Sequence, residues 1–236
     1  QPETIEKLIT PKTKALMINT PNNPTGSVMD EETMRQIAEI AVKHDILVIS
    51  DDVYNTLLYD GAKNTCIAAF PGMRERTAVV NSLSKSYAMT GWRIGFVAGP
   101  AELVSAMTKC QENFNACANA PGQYAGTVAL AHPELCEELR KVFENRRRLL
   151  LDGLKGIKGI ESNDPKGAFY VFADISSFGL SSADFCSRLL DEQKVVCIPG
   201  SAFGACGEGF IRIAYTCSDS DLVEAVARIK TFCESL

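Results

Sequence analysis

Histidine and tryptophan are scarce in this chain, with two of the first and one of the second in 236 residues. His44 ends an amphipathic pattern and His132 precedes a proline, so neither has a ligand's or a base's spacing. That sets aside His-dependent hydrolases and zinc enzymes. No two of the nine cysteines lie closer than seven residues, which excludes CxxC redox motifs and zinc ribbons. Their odd number, the placement of several in apolar runs such as 195–198, and no signal-peptide pattern read as reduced thiols in the cytoplasm. No apolar stretch approaches the roughly 20 residues needed to span a bilayer, so no membrane partner is expected and the chain reads as soluble. Clustered positive charge is missing too. The net charge is −5, and a nucleic-acid partner would need grouped Lys and Arg to neutralise phosphates. The one basic run, Arg146-Arg147-Arg148, falls in a helical pattern beside Glu137, Glu138 and Glu144 and reads as a solvated helix face. Low-complexity tracts are absent, and 46% apolar with 22% charged residues is ordinary globular composition.

What is present alternates between strand and helix patterns. Residues 14–19 form a short apolar run closed by Thr20-Pro21-Asn22-Asn23-Pro24-Thr25-Gly26, a strand followed by a rigid turn. Residues 30–45 carry apolar side chains at helical spacing, with Asp30 placed to cap, and 46–50 are near-continuously apolar before Asp51-Asp52. This strand-helix-strand unit predicts a parallel sheet covered on both faces. Further strands are expected at 77–80 and 93–98, and helices at 101–112, 122–131 and 133–154. Beyond the glycine-rich stretch 153–159 the order becomes strand 169–175, helix 181–193, strands 195–198 and 210–216, and a helix over 219–235 capped near Ser218. The fold class expected is α/β: a partial large domain with a mainly parallel sheet flanked by helices over 1–135, and a smaller C-terminal α+β domain over 136–236. Gln1 is not a methionine, and residues 1–13 read as helix and loop leading into a buried strand, as in the back portion of a longer protein.

Polar residues gather just past the carboxyl ends of these strands: Asn23 after the first, Asp51 and Tyr54 after the second, Ser82 and Lys85 after the third. Open α/β sheets bind ligands there. Lys85 stands in Asn81-Ser82-Leu83-Ser84-Lys85-Ser86, eight residues before Arg93 in Gly91-Trp92-Arg93-Ile94-Gly95. An amine able to form a Schiff base, two hydroxyls just upstream and an arginine returning on the next strand suit an aldehyde cofactor that carries a phosphate. A lone lysine on a turn would ordinarily be a surface residue.

Together with Asn23-Pro24-Thr25-Gly26, Asp51-Asp52-Val53-Tyr54 and Phe210-Ile211-Arg212-Ile213, these motifs resemble the class I and II aminotransferases, pyridoxal-phosphate enzymes of fold type I, along the chain from about Lys14. The resemblance implies that Lys85 links covalently to pyridoxal 5'-phosphate and moves the substrate α-proton, and that Asp51 partners the pyridinium nitrogen. It implies that Tyr54 and Asn23 hydrogen-bond the phenolic oxygen, and that Ser82, Ser84 and Arg93 hold the phosphate. Arg212 would grip the α-carboxylate of the amino acid or 2-oxo acid. Trp92 and Tyr215 read as packing residues. A homodimer is implied, with a substrate from the aspartate, alanine or aromatic group. No arginine lies between Arg93 and Arg140, where some dicarboxylate-specific relatives keep a side-chain-binding arginine. The resemblance places the family's phosphate loop and ring-stacking aromatic upstream of Asn23-Pro24-Thr25-Gly26, outside these residues. Two further readings stand beside amino transfer: a carbon-sulfur lyase of the same fold using the same Lys85 and Asp51, and a non-catalytic fragment or regulator retaining the body as a ligand-binding or dimerisation module.

Overall fold

A computed structural model describes all 236 residues, which form two compact units. The first comprises Gln1–Pro21 and Val28–Leu139; the second comprises Asn22–Ser27 and Arg140–Leu236.

In the first unit, α1 (Pro2–Leu8) leads to a sheet of β1 (Ala15–Asn19), β2 (Leu47–Asp51), β3 (Thr77–Ser82) and β4 (Gly95–Ala98), in the order β1-β2-β3-β4. The first three strands are parallel, and β4 returns antiparallel to β3. Helix α2 (Glu31–Lys43) joins β1 to β2, and the Asp30 carboxylate accepts the Thr33 N–H at 2.7 Å as its N-cap. It buries Met34, Ile37, Ala38 and Ala41 against Ile18 and Val48 of the sheet. Each large side chain so buried contributes about 1.5–3 kcal/mol.

The opposite sheet face differs from the expected coverage. Met17 is 66% exposed, and Leu47 and Ile49 are exposed beside it. The register pairs Met17 with Ile49, so the uncovered apolar side chains lie side by side. Strand burial alternates along β1 and β2 instead of being uniform. The strand predicted from residue 93 begins at Gly95 because Thr90–Trp92 form a 3-10 turn that leaves Arg93 left-handed, with φ 55°. Helix α3 (Leu83–Ser86) is a single turn directly after β3. Helix α4 (Ala101–Asn115) runs three residues past its predicted end and buries no residue. Helix α5 (Ala120–Leu130) starts earlier than predicted because the Asn119 side chain accepts the Gly122 N–H at 2.7 Å and Pro121 suits the first turn.

Helix α6 (Glu134–Lys155) carries the basic run. The expectation of a solvated face fails for Arg147, which is 3% exposed and pairs with Asp164, while Arg148 stays in solvent with Glu144. Helical periodicity turns adjacent arginines in different directions, so three in a row cannot share one environment.

The second unit is built on an antiparallel sheet in the order β5-β6-β8-β7, formed by β5 (Glu161–Ser162), β6 (Tyr170–Asp174), β7 (Ile198–Pro199) and β8 (Phe210–Ala214). Helices α7 (Ser182–Gln193) and α8 (Asp219–Glu234) supply Phe185, Leu189, Ile229 and Phe232 to its core. The strand expected at 195–198 shrinks to two residues. Tyr215 is fully buried as a packing residue, whereas Trp92 is half exposed.

Candidate active site

Pairing of Asp51 with Val80 aligns the carboxyl ends of β2 and β3, so Asp51 and Ser82 finish at the same sheet edge. There the Asn19 amide donates to the Asp51 carbonyl oxygen at 3.0 Å, and the Val53 N–H reaches Asp51 Oδ1 at 3.4 Å. Tyr54 is buried in the turn that follows. Two residues on, the Thr56 hydroxyl donates to Ser86 Oγ at 3.0 Å and ties this turn to the helix that carries Lys85.

That helix is pinned at both ends. Ser82 Oγ accepts the Ser84 N–H at 3.1 Å and donates to the Ile94 carbonyl at 3.1 Å. Leu83 packs with Met89 and Ile94, with Ala125 and Ala129 of α5 against them. A Cβ on Gly126 would stand 2.7 Å from Leu83 Cδ1, so α5 reaches this cluster through a glycine. Lys85 is half-buried between buried Ser84 and Ser86.

Arg93 leaves the 3-10 turn with its Nη1 donating to Thr90 O at 3.0 Å, and the Asn119 amide holds the same turn by donating to Trp92 O at 2.8 Å. Asn119 was not singled out from the sequence, although an Asn two residues before a proline is a helix-start signal. A cavity of about 630 Å³ is lined by Ser82, Ser84, Arg93, Val53, Phe96 and Thr108 among others, with no carboxylate on its wall. A guanidinium and two serines facing one cavity is a donor set that fits a phosphate group. Because Ser82 has already spent its proton on Ile94, Ser84 and Arg93 are the better donors. Lys85, Asp51 and Tyr54 share the sheet edge but do not line this cavity.

Beside Asp51, the carboxyl of Asp52 is buried and accepts the Ser50 hydroxyl at 2.6 Å. Burial pushes its pKa above the ordinary value, the Asp51 charge adds to the rise, and the Ser50 hydrogen bond opposes it.

In the second unit, Arg212 occupies the middle of β8. Its neighbours Ile211 and Ile213 are buried on the other face, as alternation requires. The guanidinium lies 4.6 Å from the Tyr170 ring centroid and 4.9 Å from that of Phe203. Arg212 Nη1 donates to Asn23 Oδ1 at 2.8 Å, its Nε is buried without a hydrogen-bond acceptor, and no carboxylate of the chain pairs with it. A half-buried guanidinium held by rings and one amide has the features of a receptor for an external carboxylate.

Asn23 belongs to the Asn22–Ser27 segment, in which the Asn23-Pro24 peptide bond is cis. Within this loop the Asn22 side chain accepts from the Thr25 hydroxyl at 2.8 Å, and the Gly167 N–H donates to Gly26 O at 2.9 Å. Phe203 sits in a double turn where Gly200 and Gly207 approach so closely that a Cβ on Gly200 would stand 2.0 Å from the Gly207 oxygen. Tyr170 and Phe203 escaped the sequence reading because their relation to Arg212 is made only in space.

The family described as Aminotransferase class I and II matches residues 2–229. The aromatic-amino-acid aminotransferase 2 of Thermococcus litoralis is 45% identical over 229 residues, covering 96% of this chain and 59% of that protein. The aspartate aminotransferase of Pyrococcus abyssi is 45% identical, again over 96% of this chain and 59% of the relative. Among solved structures, the aromatic aminotransferase from Pyrococcus horikoshii superposes with a TM-score of 0.95 at 42% identity, covering 100% of this chain and 63% of that one. The chain thus spans about 59% of the length of these curated relatives. With the lysine, aspartate and arginine motifs standing in fold type I surroundings and a family match over nearly the whole sequence, this chain belongs to the class I and II aminotransferases.

Proposed function

We propose that the chain serves amino-group transfer from an amino acid to a 2-oxo acid, with pyridoxal 5'-phosphate held on Lys85 and the two half-reactions running in ping-pong order. The observation that carries this reading is Arg212: a guanidinium set between two aromatic rings, fixed by Asn23 and paired with no carboxylate of its own chain. Both substrates of such a reaction bring the carboxylate it lacks.

The first unit would be the cofactor-binding domain. Ser84 and Arg93, with Ser82 behind them, would hold the phosphate, and Asp51 would face the ring nitrogen. Tyr54 and Asn23 would address the phenolic oxygen. When bound, the cofactor supplies a sink for the electron pair released at the substrate α-carbon. Lys85 holds the cofactor and carries the proton to and from that carbon. Arg212 orients the substrate by its carboxylate, so that binding energy is converted into alignment. Relatives named for aspartate and for aromatic amino acids support a substrate from one of those classes, and a homodimer working in the cytoplasm is the assembly and setting we infer.

The test is direct. After addition of pyridoxal 5'-phosphate and borohydride, mass spectrometry of the intact chain is expected to find the label on Lys85 and to lose it in Lys85→Ala. A label on another lysine, or none, overturns the reading. Release of pyruvate from cystathionine without an added 2-oxo acid would transfer the assignment to carbon-sulfur lysis.

A further inference from the structure

Asn163 closes a ring of contacts around Arg212. The β5-β6 ladder ends at the pair Ser162 and Ala173, and at the next position the Asn163 side-chain carbonyl takes over as acceptor for the Phe172 N–H at 2.9 Å. Phe172 is the register partner of Arg212 on β8. The other end of the same side chain donates from Nδ2 to the Thr25 carbonyl oxygen, two residues from Asn23. Asn23 in turn accepts from Arg212 Nη1, which completes the circuit Asn163, Phe172, Arg212, Asn23, Thr25.

The ring is anchored from outside. Asp164, next in the chain, pairs with buried Arg147 of α6 and with Lys166 at 2.6 Å. Gly26 packs so tightly on Pro165 that a Cβ there would stand 2.4 Å from Pro165 Cβ. A loop held by its backbone at Thr25 and Gly26 can present the Asn23 side chain in only a narrow range of positions. Arg212 Nη1 has that side chain as its hydrogen-bonding partner, so the direction of the guanidinium follows the position of the loop.

We propose that Asn163 is a positioning residue for the carboxylate site, setting the Asn23-Arg212 hydrogen bond without touching substrate. The inference rests on the reading of Arg212 as the carboxylate receptor. Both ends of the Asn163 amide are required: the oxygen for Phe172 and the N–H for Thr25. Aspartate keeps the first and lacks the second.

The experiment uses the full 236-residue chain with pyridoxal 5'-phosphate added. Calorimetric titration measures the dissociation constants of maleate and of hydrocinnamate, carboxylates that have no amino group to transfer. Asn163→Ala is expected to weaken the tighter of the two by about tenfold, and Asn163→Asp by a similar factor, the scale of one lost positioning hydrogen bond. In an Asn23→Ala background the further change to Asn163→Ala is expected to add almost nothing, because the residue acts through Asn23. A general loss of folding would weaken binding additively in both backgrounds, and circular dichroism melts of every variant check for it. Unchanged affinity in Asn163→Ala, full additivity with Asn23→Ala, or no binding of either probe to the parent chain overturns the inference. Borohydride labelling of Lys85 is measured on the same samples. If labelling fails while the binding cycle behaves as expected, the amino-transfer reading falls and the positioning role stands; if labelling succeeds and the cycle is additive, only the positioning role falls.

Discussion

Asp52 carries its carboxyl inside the protein, next to another acid and with only a serine hydroxyl to receive it. Its folded pKa is raised from 3.8, so the folded state binds the proton more tightly than the unfolded one. Below the unfolded value both states are protonated and Asp52 costs nothing. As pH rises from there through the raised folded value, a penalty develops and then persists at neutral pH. Asp52→Asn is therefore expected to leave the melting temperature near pH 3 to 4 about unchanged and to raise it at about pH 7. Thermal melts across that range check the sign, and a lower neutral-pH melting temperature in the variant would refute it. Gly26 gives a second test at this scale. It has φ +66° and no room for a Cβ against Pro165 or the Gly167 oxygen. Gly26→Ala should cost about 2–4 kcal/mol, from left-handed strain together with overpacking. Urea unfolding would measure it, and binding of carboxylates should weaken because the loop that presents Asn23 must shift.

At the scale of elements, the amino end of α5 does two jobs through one side chain. Asn119 caps the helix through Gly122 N–H and fixes the turn before Arg93 through the Trp92 carbonyl. Asn119→Ala is expected to cost about 1–2 kcal/mol for the cap alone. It should also weaken binding of pyridoxal 5'-phosphate more than that of pyridoxal, because the turn orients the arginine assigned to the phosphate. Equal losses for the two compounds, followed by absorbance titration, would limit Asn119 to capping. The second unit illustrates the same economy. Short β5 lets a side chain continue its ladder, and strand β8 alternates so that Ile211 and Ile213 anchor while Arg212 projects from the opposite face.

For the molecule as a whole, thiol exposure divides the nine cysteines. Cys110, Cys117, Cys206 and Cys217 are exposed, Cys136, Cys186, Cys197 and Cys233 are buried, and Cys66 is intermediate, so apolar-run placement described only part of the set. Burial pushes Cys186 and Cys233 up to about 11 and Cys197 to about 12, the last with the Cys186 charge adding. Since the thiolate is the reactive form, iodoacetamide at about pH 8 is expected to modify the four exposed residues in the folded chain and to spare those three. Peptide mapping reads the outcome, and early labelling of Cys197 would contradict the packing described. The exposed apolar row of Met17, Leu47 and Ile49 is a surface that folded monomers seldom leave in water.

Much of the candidate site was legible because its signals are local. A lysine three residues after a serine, an aspartate closing an apolar strand and an arginine flanked by isoleucines are each contained in one short window of the chain, and the α/β order follows from hydrophobic periodicity. The sequence by itself therefore determined the family and the α/β order, and it singled out candidate residues at the strand ends. What it could not specify were the relations between distant segments. Asn23 and Arg212 are separated by 189 positions, and Asn163 and Thr25 by 138, so no spacing rule connects them. The left-handed turn at Arg93, the inward turn of Arg147 and the uncovered sheet face were likewise decided by packing. Periodicity says which side chains share a face, and only tertiary structure decides what, if anything, meets that face.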